Sequence, residues 1–328
     1  MQTASFWEKQ NGDKVKCFLC PHNCVIPAGK HGICKVRVND NGALFSSIYG
    51  ETTGVGLDPI EKKPLYHFFP GSQILSLGTN GCNLSCTFCQ NWQISQTGNS
   101  GRHNLSSDGA VRLALQESAI GIAYTYNEPF IWFEYVLETA KKAKERGLRN
   151  VLVTNGFVNP EPLSELLPYI DAMNIDLKSI KEGFYRQTCN GSLAPVKKTI
   201  ETAQNHCHIE LTNLLVTGKN DSEKDLTELT KYVSTLGKDI PLHFSRYFPL
   251  YKETEPETPA ATLKKAAEIA GSKLNYVYLG NLETEESSTC CPKCRSELIH
   301  RKGFSLKTYN LSGSNCFNCG CNIYGSFK

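Results

Sequence analysis

Three cysteines crowd into the run GCNLSCTFCQNW (81–92), and no further cysteine follows for a hundred residues. Cys82, Cys86 and Cys89 follow C-x3-C-x2-C spacing. A structural zinc takes four ligands, and an electron-transfer [4Fe–4S] cluster takes four thiolates. Three close thiolates without a partner suit three corners of a four-iron cubane and leave one iron open to bind and activate a ligand. A structural zinc with a distant fourth ligand is the bland alternative.

Three further polar signatures each end an apolar run: Asn127-Glu128-Pro129, Thr154-Asn155-Gly156 and Asp176-Leu177-Lys178. An acceptor carboxylate such as Glu128 suits an ammonium group. Asp176 and Lys178 project to the same side under period-two alternation, so both face one pocket. The plain alternative is that such strand ends simply make turns. His243 and Arg246 are three residues apart, so at most one lines a pocket. Arg246 suits a carboxylate or a buried structural pair. His67 is expected near the cysteine loop. Cys189 reads as a partly buried thiol, or as a hydrogen-atom donor.

Two more cysteine sets flank this region. Cys17-x2-Cys20-x3-Cys24-x9-Cys34 supplies four ligands, with His22 as a substitute. A small unit needs a staple, which favours zinc; an auxiliary iron–sulfur cluster is the alternative. Cys291-x2-Cys294-x21-Cys316-x2-Cys319 reads as a zinc ribbon with a long spacer, Cys290 and Cys321 being spare neighbours. Stabilisation is its first expected role and docking its second. Short C-x2-C pairs in a cytosolic chain are metal sites more often than disulfides.

The elements that position these residues show in the hydrophobic pattern. Short runs at 74–82, 121–129, 150–157, 172–178, 208–218, 242–249 and 276–281 are rich in β-branched or aromatic residues, as buried parallel strands require. Amphipathic segments separate them. Trp132, Val136, Ala140 and Ala143 share a helix face, and Ser222 caps a helix striped by Leu226, Leu229, Val233 and Leu236. The alternation predicts an α/β fold, a full or partial (β/α) barrel with sites at the C-terminal strand ends. The expected organisation is a cysteine-rich segment at 1–71, the barrel core at 72–281, and a linker with a ribbon-like module at 282–328.

At 328 residues the chain can bury a substantial core, and 35 basic against 32 acidic residues leave a formal charge of +3. Nothing there calls for nucleic acid or an anionic membrane as partner; the charges of Lys141–Arg149 read as a solvated face. The polar start MQTASFWEKQNGDKVK is no secretory signal, and no apolar stretch approaches a membrane span. The expectation is a soluble cytoplasmic protein.

With Phe88 just before its last cysteine, the triad resembles that of the radical S-adenosylmethionine (SAM) superfamily. The resemblance implies that Cys82, Cys86 and Cys89 hold a [4Fe–4S] cluster whose open iron chelates the amino and carboxylate groups of SAM. One electron then cleaves the S–C5′ bond, and a 5′-deoxyadenosyl radical abstracts a hydrogen atom. Asn127-Glu128-Pro129 stands where the superfamily often has Gly-Gly-Glu-Pro at the methionine ammonium, with Asn127 in place of glycine. Thr154-Asn155-Gly156 and Asp176-Leu177-Lys178 are similar to the Asp-Thr-Asn-Gly and Asp-Leu-Lys of the pyruvate formate-lyase activase branch. Val153 replaces the aspartate, which removes a ligand of the monovalent cation that activases hold.

A narrower resemblance rests on 17–42, 58–72, 81–96, 125–129 and 241–249, and covers nearly the whole chain. These strings are similar to the radical enzyme of the AmmeMemoRadiSam system. That implies Memo-type and AMMECR-type partners, with a flavodoxin or ferredoxin as electron donor. The alternatives are a glycyl-radical enzyme activase, and an RNA- or protein-binding module whose metal sites are all structural zinc.

Overall fold

The computed structural model describes residues 1–98, 101–282 and 286–327. Eight strands form one sheet: β1 (Gly54–Pro59), β2 (Gln73–Gly78), β3 (Gly121–Tyr124), β4 (Arg149–Thr154), β5 (Ala172–Asp176), β6 (His208–Leu215), β7 (Leu242–Arg246) and β8 (Val277–Gly280). They pair in chain order, antiparallel between β1 and β2 and parallel from β2 to β8. Each parallel step crosses over through a helix: α1 (Ser107–Gln116), α2 (Phe133–Glu145), α3 (Pro160–Leu166), α4 (Leu193–Ala203), α5 (Glu223–Leu236) and α6 (Ala260–Gly271). All seven runs expected as parallel strands are strands.

The central strands are buried on both faces, which is why they read as continuous apolar runs. Ile122, Leu152, Met173, Ile175, Leu211 and Phe244 have no solvent exposure. Each such side chain contributes roughly 1.5–3 kcal/mol by leaving water. Val136, Ala140 and Ala143 bury the inner face of α2, and Leu226, Leu229 and Val233 that of α5. The Ser222 hydroxyl accepts the Asp225 N–H at 3.2 Å, capping α5 as its sequence predicts.

Among the described residues the sheet is mostly parallel and open, with β1 and β8 at its two edges, where a full or partial barrel was expected. β1 has no counterpart among the expected strands and ends the parallel array by running the other way. The buried segment between β1 and β2 crosses the interior, packed against side chains of β5 and β6. Its Pro64 carbonyl accepts Asn174 Nδ2 at 2.8 Å and its His67 N–H donates to Glu210 Oε1 at 2.7 Å. These bonds satisfy polar groups that point inward from β5 and β6.

Two small units flank this core. The N-terminal one places strands Gln2–Thr3, Arg37–Asp40 and Ala43–Ser46 in one sheet and Trp7–Lys9, Val15–Cys17 and Val25–Ile26 in another. It meets the start of α2 where Glu134 accepts both the Ser5 N–H and Arg37 Nη1 at 2.7 Å. At the other end of the chain, the polar run expected as a linker over 282–289 already carries a strand at Glu286–Cys290, paired with Glu297–Lys302. Residues 283–285 of that run lie outside the described residues. Arg301 Nη2 donates to the Tyr66 carbonyl, and Tyr278 and Thr289 hydroxyls meet at 2.7 Å. This unit therefore seats against the segment that crosses the interior. No helix among the described residues is long and apolar enough to cross a membrane.

Candidate active site

The cysteine loop leaves the C-terminal end of β2 and is held by neighbouring strand ends. Asn127, just past β3, accepts the Thr79 N–H at 3.2 Å and donates to the Gly81 carbonyl at 2.8 Å. Gly81 has φ +94°, and a Cβ there would stand 2.7 Å from the Cys34 carbonyl oxygen, so only glycine lets the two cysteine-bearing segments touch. Asn83 Nδ2 donates to the Phe157 carbonyl, and the Ser85 and Thr87 N–H groups donate to the carbonyls of Cys189 and Thr188. A wide π-type turn, Gln93–Thr97, closes the loop, and Ser95 Oγ lies 3.1 Å from Cys89 Sγ.

The three thiols line a cavity of about 480 Å³ at the C-terminal strand ends. Asn127, Glu128, Thr154, Asn155, Asp176 and Lys178 line the same cavity, so the structure brings every residue expected at a cofactor together with the triad. Lys178 Nζ bonds Asp176 Oδ2 at 2.7 Å. Although burial works to lower it, Asp176 and the nearby Cys86 hold the Lys178 ammonium well above its usual range. Asn155 Nδ2 donates to Asn83 Oδ1 at 2.9 Å and stands 3.6 Å from Cys82 Sγ. The Asn127 side chain makes one acceptor and one donor bond to the loop, so it positions the thiols while its second amide hydrogen stays unused at the cavity wall.

Glu128 is 1% exposed and already accepts three hydrogen bonds, from Phe130 N–H, Thr154 Oγ1 and Asn155 N–H. Burial pushes its carboxyl up to about 7 against those donors. Cys82 is pushed up by burial, with Glu128 adding to it. Cys86 is drawn down because the Cys189 thiol donates to it, and Cys189 is raised in return. Cys189 is fully buried and is absent from the cavity lining, so it backs the triad without facing the cavity.

A family model described as the radical SAM superfamily matches residues 76–233, the span that holds the triad, Glu128, Asn155 and Lys178. The chain belongs to the radical SAM superfamily. It is 41% identical to the uncharacterized protein MJ0808 of Methanocaldococcus jannaschii, over 98% of each chain. The 4-hydroxyphenylacetate decarboxylase activating enzyme of Clostridium scatologenes is 23% identical over 35% of this chain and 38% of its own. Among solved structures, SuiB of Streptococcus suis bound to S-adenosylmethionine superposes with a TM-score of 0.51 at 14% identity, covering 68% of this chain and 53% of that one. That superposition shows a shared α/β fold.

Radical SAM enzymes use a [4Fe–4S] cluster and SAM, and the donors here fit both. The triad offers three soft thiolate donors around a roomy cavity, with carboxylate, ammonium and amide groups on its wall. The cavity also draws in residues the sequence did not single out: Lys62, Lys63, Tyr126, Thr212, Leu214, Ser245 and Asn281. Lys63 Nζ is buried against Asp58 Oδ2 at 2.7 Å, and Tyr126 donates to the same oxygen at 2.7 Å. The Lys62-Lys63 pair sits in the string DPIEKK (58–63), the one visible signal for them.

Other expected placements change. His67 lies away from the cysteine loop: its ring bonds the Tyr324 carbonyl and the Tyr278 hydroxyl. The irregular segment that carries it crosses the interior toward the C-terminal unit. His243 meets Glu210 Oε2 at 2.6 Å, and Arg246 bonds the Thr258 carbonyl and Glu257 Oε1. Neither lines the cavity; Ser245 between them does. His22 is a contact to the cysteine loop, its Nε2 2.7 Å from the Asn83 carbonyl oxygen. The Lys141–Arg149 charges are a solvated face: Lys142 pairs with Asp108 and Glu138, and Arg149 with Asp171.

Among the described residues, Cys291, Cys294, Cys316 and Cys319 form the one metal-ligating group whose donor atoms all lie within 4.8 Å of one another. Its sulfur pairs 291–319 and 294–316 are each 3.6 Å apart. The group can bind a metal ion.

Proposed function

We propose that this radical SAM enzyme holds its [4Fe–4S] cluster on Cys82, Cys86 and Cys89 and binds SAM along Glu128, Thr154, Asn155, Asp176 and Lys178. The observation that carries the reading is that three thiols and this polar wall share one cavity. With electrons supplied by a flavodoxin- or ferredoxin-type donor, the bound cluster and SAM furnish a 5′-deoxyadenosyl radical for hydrogen abstraction. The chain's own residues bind and orient. The second lone pair of Glu128 Oε2 suits the methionine ammonium, and Lys178 suits the carboxylate. Phe88, packed on Phe184 at 5.8 Å, keeps water from the triad.

The substrate is a small molecule or a protein side chain. The strings at 17–42, 58–72 and 241–249 support a place in an AmmeMemoRadiSam-type system with Memo-type and AMMECR-type partners. The C-terminal cysteines suit a structural zinc in a ribbon. An activase role is the second reading, favoured by the likeness to the Clostridium scatologenes enzyme. Val153, a cavity-lining residue where activases carry aspartate, weighs against it. The test is SAM-dependent 5′-deoxyadenosine release by anaerobically reconstituted protein, with and without the two partner types.

A further inference from the structure

The four N-terminal cysteines enclose a small apolar pocket of their own. Cys17, Cys20, Cys24 and Cys34 line it with Leu19, Ile26 and Ile131. Arg37 also lines it, with its side chain 1% exposed. One guanidinium nitrogen of Arg37 bonds Glu134 at 2.7 Å; its Nε and Nη2 are buried with no hydrogen-bond partner among the described residues. A buried cation with two idle donors beside four thiols calls for an anionic group between them.

Spacing separates the two metals that four cysteines take. Zn–S bonds of ~2.3 Å in a tetrahedron put the sulfurs about 3.8 Å apart. Thiolates on the corners of a four-iron cubane stand on the order of 6 Å apart. The C-terminal set meets the first condition, all four sulfurs lying within 4.8 Å. The N-terminal four do not draw within that distance, although they surround one pocket. The triad behaves the same way.

We infer that Cys17, Cys20, Cys24 and Cys34 hold an auxiliary [4Fe–4S] cluster, with Arg37 donating to its sulfur. The site lies against the catalytic loop: the Cys34 carbonyl abuts Gly81, and His22 reaches the Asn83 carbonyl. With all four thiolates engaged, this cluster keeps no open iron, which separates its chemistry from that of the triad.

The test is metal analysis with Mössbauer spectroscopy on full-length protein purified and reconstituted without oxygen, as wild type and as the Cys82/Cys86/Cys89→Ala triple variant. The inference expects about eight irons per chain in the wild type and about four in the variant, with a [4Fe–4S] signature in both. About four irons in each would uphold the N-terminal cluster while removing the one proposed for the triad. An iron-free variant carrying a second zinc would overturn the inference. Should the triple variant prove insoluble, the wild type decides: about eight irons and one zinc support the cluster, about four irons and two zincs refute it.

Discussion

Glu128, at the end of β3, accepts the backbone N–H of Asn155, at the end of β4, at 2.8 Å. Its other oxygen takes the Thr154 hydroxyl and the Phe130 N–H. One buried carboxylate thus fixes two neighbouring strand ends and, through Asn155 and Asn83, the loop that carries Cys82.

Removing that carboxylate leaves three buried donors without their acceptor. Each unsatisfied buried group costs about 1–3 kcal/mol, so Glu128→Ala loses about 3 kcal/mol in urea unfolding. Glu128→Gln keeps one acceptor oxygen and loses less. Equal losses in the two variants would show that volume, rather than acceptance, is what the site needs.

The pH dependence of SAM binding follows from the same residue. Because burial raises the folded-state carboxyl from 4.5 to about 7, Glu128 takes up a proton as pH falls through 7. In the window between these values its protonation favours the folded chain, and it removes the charge an ammonium needs. Calorimetric titration should show SAM affinity falling from pH 8 to pH 6 in wild type and staying level in Glu128→Gln.

Cys189 touches Cys86 from behind without facing the cavity. Cys189→Ala is therefore expected to keep the triad's iron and its SAM cleavage, with a shift in the cluster's electron paramagnetic resonance signal as a donor to Cys86 is lost. Loss of about four irons in this variant would make Cys189 a ligand instead.

Below the pH at which Glu128 takes up its proton, acid should loosen the interior as well. Glu210 bonds His208 at 3.0 Å, His243 at 2.6 Å and the His67 N–H at 2.7 Å. Burial works against its charged form, but the two histidines hold its carboxyl far below 4.5, so its contribution is present above that value and fades as pH falls below it. Burial lowers His67 from 6.5 to about 3, so the unfolded chain binds a proton there first and stability falls with pH across that window. Both effects share a sign. In the Glu128→Gln background, which removes the opposing contribution of that carboxyl, thermal melts should show Tm dropping from pH 6.5 toward 4, and adding Glu210→Gln should flatten the acidic end of that curve.

Much of this was legible along the chain. The seven parallel strands read as short apolar runs because both their faces are buried, and the site motifs stand out because polar residues at the ends of such runs have little other reason to be there. The triad needed only its spacing. What stayed hidden was carried by irregular chain. β1, GVGLDP, alternates Val55 and Leu57 with glycine but leaves both exposed, so it does not read as a buried strand. Nothing in IEKKPLYHF announces that it crosses the interior, placing Lys63 in the cavity and His67 beside Tyr278. Cys189 reaches Cys86 through backbone bonds between loops a hundred residues apart. The wide spacing of the N-terminal sulfurs is a property of three dimensions that the pattern C-x2-C-x3-C-x9-C does not encode.

The most direct measurement is 5′-deoxyadenosine released from SAM after one-electron reduction of the cluster-loaded protein, beside the Cys82/Cys86/Cys89→Ala variant. Release by the wild type and none by the variant is the result this account predicts. Wild-type protein that carries zinc alone in the triad and releases no product would contradict it, and would make the chain a binding module on a radical SAM fold.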